Sequence, residues 1–477
     1  MLPTHPLDLP EILRNVACYM PRHRLVACLR VCKSWHQALI PLVWKDILHT
    51  DRPCPLAVVQ RHCHLIRTLQ TYFTFPQEYT ALTFPRLESL DFSYGFQHPY
   101  PAFIFKHPML TCLTLHGVQV DPQSMFWEGF LDLENLKDLT LVNMAIGRND
   151  INTFWRLCTQ LERLHFRLLT FAHKGDLSSM TFPLVQMVRS CDIAVDYALF
   201  TLEFIQRCPN MTSFCLNGGR RSGSEPTLSE FVQLVSAGTW PKLHHIDSWQ
   251  QAISNDDITL IVESMKRISA LFFIHSNMAF GPNTMDRLRP HFLHLKKLLM
   301  AQDVGLTSSM AQQVLASCPF LEILAVYWID GTDVVAGGPW VCTGLKQLSG
   351  CFRFNPDTIH QVQPLVFEQL SKLTRLEELS VCGRFCASTG GFPGFQESVD
   401  LRLEYGLGKL STLRSLRYID FTDTEQKIGE QEIEWIAEHW KSLSEVKGIL
   451  NMWDTILDEK LEKQLLQCGI HIAWCWE

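Results

Sequence analysis

Three short stretches carry residue types that could ligate a metal. Arg61-His62-Cys63-His64-Leu65 places two imidazoles and a thiol side by side. Cys382 and Cys386 bracket Gly-Arg-Phe, and His244 and His245 are adjacent. Zinc wants four such ligands in a tetrahedron, so a short cluster needs a second pair at a workable distance. Neither Cys-containing stretch has one. His244-His245 falls on an expected strand, where neighbours point to opposite faces, so the pair does not chelate. The expectation is therefore no metal and no cofactor. Phosphate chemistry would need a Gly-x-Gly-x-x-Gly or Gly-Lys-Ser/Thr loop, and neither appears. No Gly-x-Ser-x-Gly elbow or His-Glu-x-x-His pair is present either. The 17 Cys leave a Cys/His nucleophile pair open, but nothing positions one. The reading is of a chain that is not an enzyme. A hydrolase hidden in the loops between residues 327 and 400 is the remote alternative.

Composition narrows the class. The chain has 477 residues, 47% hydrophobic and 19% charged, which is too apolar for disorder and long enough for an elongated array. Net charge is -7 and no basic block stands out, so neither nucleic acid nor an anionic membrane is an expected partner. The Cys count is odd and the spacing irregular, which points to free, buried thiols in a reducing compartment. No uncharged apolar run reaches the roughly 18 residues of a membrane span. The start carries Asp8 and Glu11 rather than a basic region before an apolar core, so no secretory signal is expected. Cytoplasm, nucleus or both is the expected location.

The elements that must position any site fall into two groups. In the first, Pro10 and Glu11 suit the first turn of a helix. Ile12, Leu13, Val16, Ala17 and Met20 recur at helical spacing until Pro21. Leu25, Val26, Leu29 and Cys32 give a second helix, and Trp35, Leu39 and Leu42 a third, interrupted at Pro41. Three short helices in about 40 residues cannot bury a sufficient core alone, so the unit needs a neighbour or a partner.

In the second group one phrase recurs, apolar at i, i+3 and i+5. Leu87-Leu90-Phe92, Leu110-Leu113-Leu115, Leu136-Leu139-Leu141 and Leu161-Leu164-Phe166 open the series. Met211-Phe214-Leu216, Leu321-Leu324-Val326, Leu376-Leu379-Val381 and Leu416-Ile419-Phe421 continue it. Leu243-Ile246 is partial, and weaker copies sit near Leu184, Ile268, Leu295, Leu345 and Val446. Most successive copies lie 23 to 27 residues apart, inside the leucine-rich repeat range of about 20–29, and the spacing stretches to 40 between Leu376 and Leu416. A helical pattern follows many copies, as in Ile258, Ile261 and Met265. Each unit reads strand, turn, helix, and must stack on its neighbours to bury either piece. Cys158, Cys208 and Cys318 each precede a strand's first apolar residue by three, which marks them as helix-end packing residues.

The stretch with Leu9-Pro10, Glu11-Ile12-Leu13, Leu25, Val31-Cys32-Lys33-Ser34-Trp35 and Leu42-Val43-Trp44 resembles an F-box. It departs from many F-boxes in having no residue between Leu-Pro and Glu. The remainder resembles the leucine-rich repeats of F-box proteins, without the Asn that many families place after the strand. The fold expectation is α/β: a three-helix F-box over 1–48, then an irregular leucine-rich repeat solenoid over 49–477, curved, with parallel inner strands and outer helices. The resemblance implies a substrate-recognition subunit of a cullin-based, SCF-type ubiquitin ligase. The F-box would bind a Skp-type adaptor, and through it a cullin. By position, Leu9, Pro10, Ile12, Leu13, Leu25, Val31 and Trp35 are the adaptor-contact candidates, although a unit this small also needs apolar residues for its own core. Side chains alternating with the buried strand positions would face a protein substrate. Arg163, His165, His245, Asp247, Trp249 and Tyr327 are the candidates there, with Trp249 and Tyr327 as aromatic anchors. Three stretches between repeats, 216–226, 327–344 and 382–400, read as long loops. A non-ligase repeat scaffold for protein–protein interaction is the alternative.

Overall fold

The computed structural model describes residues 9–20, 22–49, 54–71, 77–92, 101–117, 126–171, 177–191, 198–217, 225–249, 254–274, 280–300, 306–381, 398–422, 424–451 and 454–473. Three helices come first: α1 (Pro10–Ala17), α2 (Arg22–Cys28) and α3 (Lys33–Lys45). Pro10 occupies the start of α1, where its missing N–H costs nothing. Leu13, Ala17, Leu25, Ala38, Leu39 and Val43 form the small core the three helices share. Two details differ from the sequence expectation. Cys32 is not in α2: it is extended and caps α3, its Sγ accepting the Trp35 N–H at 3.5 Å. Pro41 does not break α3, which runs through it to Lys45.

The chain then enters strand β1 (Asp46–His49) directly, so the boundary expected after residue 48 lies inside a strand. β1 starts a parallel ladder with β2 (Thr68–Thr71), β3 (Ser89–Phe92), β4 (Cys112–His116), β5 (Asp138–Val142), β7 (Arg163–Arg167) and β9 (Met187–Cys191). Two-residue strands β6 (Ala145–Ile146) and β8 (Thr170–Phe171) pair beside it. A second compact unit, from Thr212 onward, holds its own ladder in chain order. Its strands are β10 (Ser213–Asn217), β11 (His245–Trp249), β12 (Ala270–Ile274), β13 (Lys297–Met300), β14 (Ile323–Asp330), β15 (Gln347–Arg353), β16 (Glu378–Ser380), β17 (Tyr418–Asp420), β18 (Glu445–Lys447) and β19 (His471–Ala473). Every pair is parallel, as a strand–helix repeat requires.

Register explains the repeat phrase. Leu90, Leu113, Leu139, Leu164 and Val188 stand side by side across five strands and are at most 1% exposed. Phe214, Ile246, Leu271, Leu298, Leu324, Leu348, Leu379, Ile419 and Val446 form the matching buried column of the second unit. Each fully enclosed side chain of this kind contributes about 1.5–3 kcal/mol. Helices cover the outer ends: Ile151–Cys158 buries Ile151, Phe154, Trp155, Leu157 and Cys158. Ser254 and Thr307 cap two further helices by accepting the Asp257 and Met310 N–H groups. Cys158, Cys208 and Cys318 are wholly buried, and burial pushes their thiols up, that of Cys318 to about 12. Thiols so held are packing groups, not nucleophiles.

One stretch expected as a loop is regular structure. Residues 327–344 continue β14 to Asp330 and then form the helix Gly331–Ala336, with Trp340 buried. Asp330 caps that helix through the Thr332 N–H, at 2.8 Å. Trp340 donates its indole N–H to Gln312 Oε1 at 2.7 Å.

Three successive repeats turn left-handed immediately after the strand, at Gly117 (φ 66°), Asn143 (φ 51°) and Leu168 (φ 53°). Gly and Asn tolerate that backbone; for Leu it costs about 1–2 kcal/mol. Leu168 is 46% exposed, so its side chain gives little back. Leu168→Asn is expected to stabilise the protein by about 0.5–1 kcal/mol, read as a higher thermal midpoint. A lower midpoint would show that the turn is not strained.

His107 sits under this part of the array, 1% exposed, with Nε2 accepting the Phe84 N–H at 3.1 Å. That bond requires the neutral ring. Burial holds the His107 pKa down at about 4, against a smaller upward pull from the Phe103 backbone. The unfolded ring takes its proton near pH 6.5, so the unfolded state binds more protons between about 6.5 and 4. Stability is therefore fully present above about pH 6.5 and falls as pH drops toward 4, by up to about 3 kcal/mol. The urea midpoint should fall from neutral pH to about pH 5, and His107→Gln should reduce that difference. An identical pH dependence in the variant would count against this origin.

Candidate protein-docking surfaces

The N-terminal helices cover only part of their apolar surface. On α1, Leu13, Ala17 and Met20 turn toward α2 and α3. Leu9, Ile12 and Val16 lie on the adjoining strip of the same helical face, at i, i+3 and i+7, and Tyr19 follows in the turn after α1. Leu9 is 43% exposed, Val16 45% and Tyr19 91%, while Ile12 is half-buried. Val26 and Val31 add further exposed apolar side chains, and Pro10 is exposed beside Leu9. The candidate contacts thus separate by burial. Leu13 (2% exposed) and Leu25 (6%) belong to the unit's own core. Trp35 is half-buried against that core. Leu9, Pro10 and Val31 are free to meet another surface. Val16, Tyr19 and Val26 were not among the sequence candidates; their signal was an apolar face on α1 and α2 wider than three short helices can cover.

The ladder strands alternate as expected. In the first unit, Arg163 and His165 stand two apart on one face of β7, with Leu164 and Phe166 buried behind. Arg163 Nε reaches Asp138 Oδ2 at 2.8 Å, its register neighbour on β5. Both ends of that pair are accessible, so the contact adds at most about 1 kcal/mol and leaves the guanidinium available. In the second unit, His245 Nδ1 meets Ser213 Oγ at 3.1 Å and the ring stands edge-on to Phe272. His244 Nδ1 instead meets Ser269 Oγ at 2.7 Å, so the two imidazoles serve different neighbours. Asp247 is on the same strand but only 7% exposed, which makes it a floor group rather than a protruding one. Trp249 is placed by its backbone opposite Asn217 and Ile274; its side chain lies outside the described residues.

Tyr327 is half-buried on the extended part of β14. The β14–β15 register shifts between Ala325 and Trp328, which places Tyr327 and Trp328 at the irregularity. The Arg353 guanidinium lies 4.4 Å over the Trp328 ring, and Tyr327 is 5.7 Å from it. Strand alternation points to Tyr327; Trp328 and Arg353 join it only through the irregular register, which the spacing does not show.

Among the described residues no group of His, Cys, Asp and Glu could hold a metal ion. His62 stacks on Trp44 at 4.4 Å, which gives the His-Cys-His stretch a packing role between α3 and the helix Leu56–His62. Cys382 and Cys386 lie outside the described residues, as do most of 216–226 and 382–400. No described helix is long and apolar enough to cross a membrane.

Comparison with known proteins agrees with the N-terminal unit. Residues 6–40 match the F-box domain family. No curated protein matches the sequence. Among solved structures, a leucine-rich repeat protein of Leptospira interrogans is 13% identical, with TM-score 0.35, over 90% of this chain and 100% of that one. An internalin of Listeria monocytogenes is 13% identical, with TM-score 0.33, over 100% of this chain and 99% of that one. Likeness this low carries no functional argument. An F-box domain leading an array of leucine-rich repeats is the class of protein defined by the match and by the ladders themselves.

Proposed function

We propose that this chain is the substrate-recognition subunit of a cullin-based, SCF-type ubiquitin ligase. The observation that carries the reading is the uncovered apolar surface of an F-box unit: Leu9, Val16 and Tyr19 along α1, and Val31 after α2, are exposed where burial would stabilise a complex. A Skp-type adaptor is the partner for that surface, and a cullin joins through it. The exposed strand rows then hold a protein substrate. The chain performs no bond chemistry of its own; it raises the concentration of substrate beside the transferring enzyme. Such work belongs in the cytoplasm, the nucleus or both. Co-expression with a Skp-type adaptor and a cullin, followed by purification of the complex, tests the assignment. The unspaced Pro10-Glu11 opening favours a second reading, a repeat scaffold outside any ligase. An adaptor complex that never recruits cullin would select it.

A further inference from the structure

The second ladder carries a socket of about 240 Å³ on the strand face away from its buried column. Its cause is a run of small side chains at one register position. Ala325, Ser349 and Ser380 stand side by side on β14, β15 and β16, where the flanking strands have Leu299 on one side and Asp420 on the other. Three small neighbours in a row dent a surface that is otherwise filled. Leu299 and Ile323 make an apolar wall at one side of the dent. Tyr418 and the carboxylates of Glu378 and Asp420 make the other.

The acidic side is built rather than incidental. Asp420 is fully enclosed, its Oδ1 accepting the Thr422 N–H at 2.9 Å and its Oδ2 the Tyr418 O–H at 3.1 Å. Those bonds fix the Asp420 carboxyl group in place behind Tyr418. Glu378 stands beside Tyr418 in register and is exposed. Among the described residues no basic side chain lines the socket; Lys297 pairs in register with Ile323 and Lys447 with Asp420, each from the adjacent strand.

Size and charge select the occupant. The volume is below the roughly 300–1,000 Å³ of small-molecule sites, and suits one long side chain. An apolar wall leading to a carboxylate matches a side chain with a hydrocarbon stem and a cationic head. We propose that this socket receives a lysine or arginine side chain of the bound protein, with the stem on Leu299 and Ile323 and the cation at the exposed carboxylate of Glu378, beside Tyr418. The inference rests on the strand face being the substrate surface.

The test is selection of a random heptapeptide display library on the full-length chain. Expected are peptides sharing a Lys or Arg at one position, weakened at least tenfold when that residue becomes norleucine. Ser349→Phe, which fills the dent from a half-exposed position, should cause a similar loss. Glu378→Gln, an exposed and nearly isosteric change, should weaken basic peptides several-fold and leave the circular dichroism spectrum unchanged. Selected peptides with no shared basic residue overturn the occupant. Basic peptides that bind Ser349→Phe and Glu378→Gln at wild-type strength overturn the socket while leaving the substrate-surface reading intact. Failure to select any peptide overturns both, and leaves adaptor binding to be judged by co-purification.

Discussion

Changing Leu9 and Val31 together to Asp is expected to abolish co-purification of a Skp-type adaptor with this chain while leaving the chain folded. Both side chains are exposed, at 43% and 60%, and neither belongs to the core of the three-helix unit. Folding therefore loses little. Binding loses the burial of two apolar groups, about 1.5–3 kcal/mol each, and must also dehydrate two carboxylates. A combined loss of at least about 3–5 kcal/mol is a drop of over a hundredfold in affinity. Leu13→Asp supplies the contrast, because it places a charge in the core and should unfold the unit itself. Retention of the adaptor by the Leu9/Val31 double variant, measured on folded protein, would remove the basis for the docking surface.

The repeat was legible because its physical cause is strict. Stacked parallel strands in register need an apolar residue at every buried position, and the Leu-x-x-Leu-x-Leu phrase is that demand written out. It failed to show where a polar residue took a buried position. Thr71 occupies the last apolar site of β2 and is 1% exposed, with Oγ1 donating to the Asp91 carbonyl at 3.3 Å. β2 consequently precedes the point at which the phrase becomes visible. The copy near Leu184 shows the same limit: Leu184 is 49% exposed, and Val185 and Val188 carry the buried positions. Residues 327–344 were hidden for another reason. Gly, Pro and Asp are turn residues in isolation, but Asp330 caps a helix and Gly331 packs against Phe354, a close approach that a larger residue could not make. In the F-box, the residue types that dock and the types that fill a core are the same. Only burial separates Leu9 and Val31 from Leu13 and Leu25.

The largest stability effect is expected from replacing Gln363. The spacing from Leu376 to Leu416 is 40 residues, well over one repeat, and residues 398–407 rejoin the array there without a regular helix. Their backbone groups need partners from outside the segment. Gln363, 0% exposed on the helix Ile359–Leu370, supplies three: its Nε2 donates to the Asp400 carbonyl at 2.7 Å and the Tyr405 carbonyl at 3.1 Å, and its Oε1 accepts the Asp400 N–H at 2.9 Å. Gln426 does the same from the other side, donating to the Val399 carbonyl at 2.8 Å and accepting the Leu401 N–H at 3.0 Å. Leucine matches glutamine in bulk and would leave three backbone groups unpaired, at about 1–3 kcal/mol each. The expected loss is about 3–5 kcal/mol, read in urea unfolding, with early loss of hydrogen-exchange protection at Asp400 and Leu401. Gln363→Glu separates the roles of the two ends of the amide. At neutral pH its buried carboxylate faces the two carbonyl oxygens, so it should cost at least as much as leucine, and acid should recover part of the loss, because the protonated group can donate to one of them. A Gln363→Leu protein within about 1 kcal/mol of wild type would show that this segment does not depend on the glutamine.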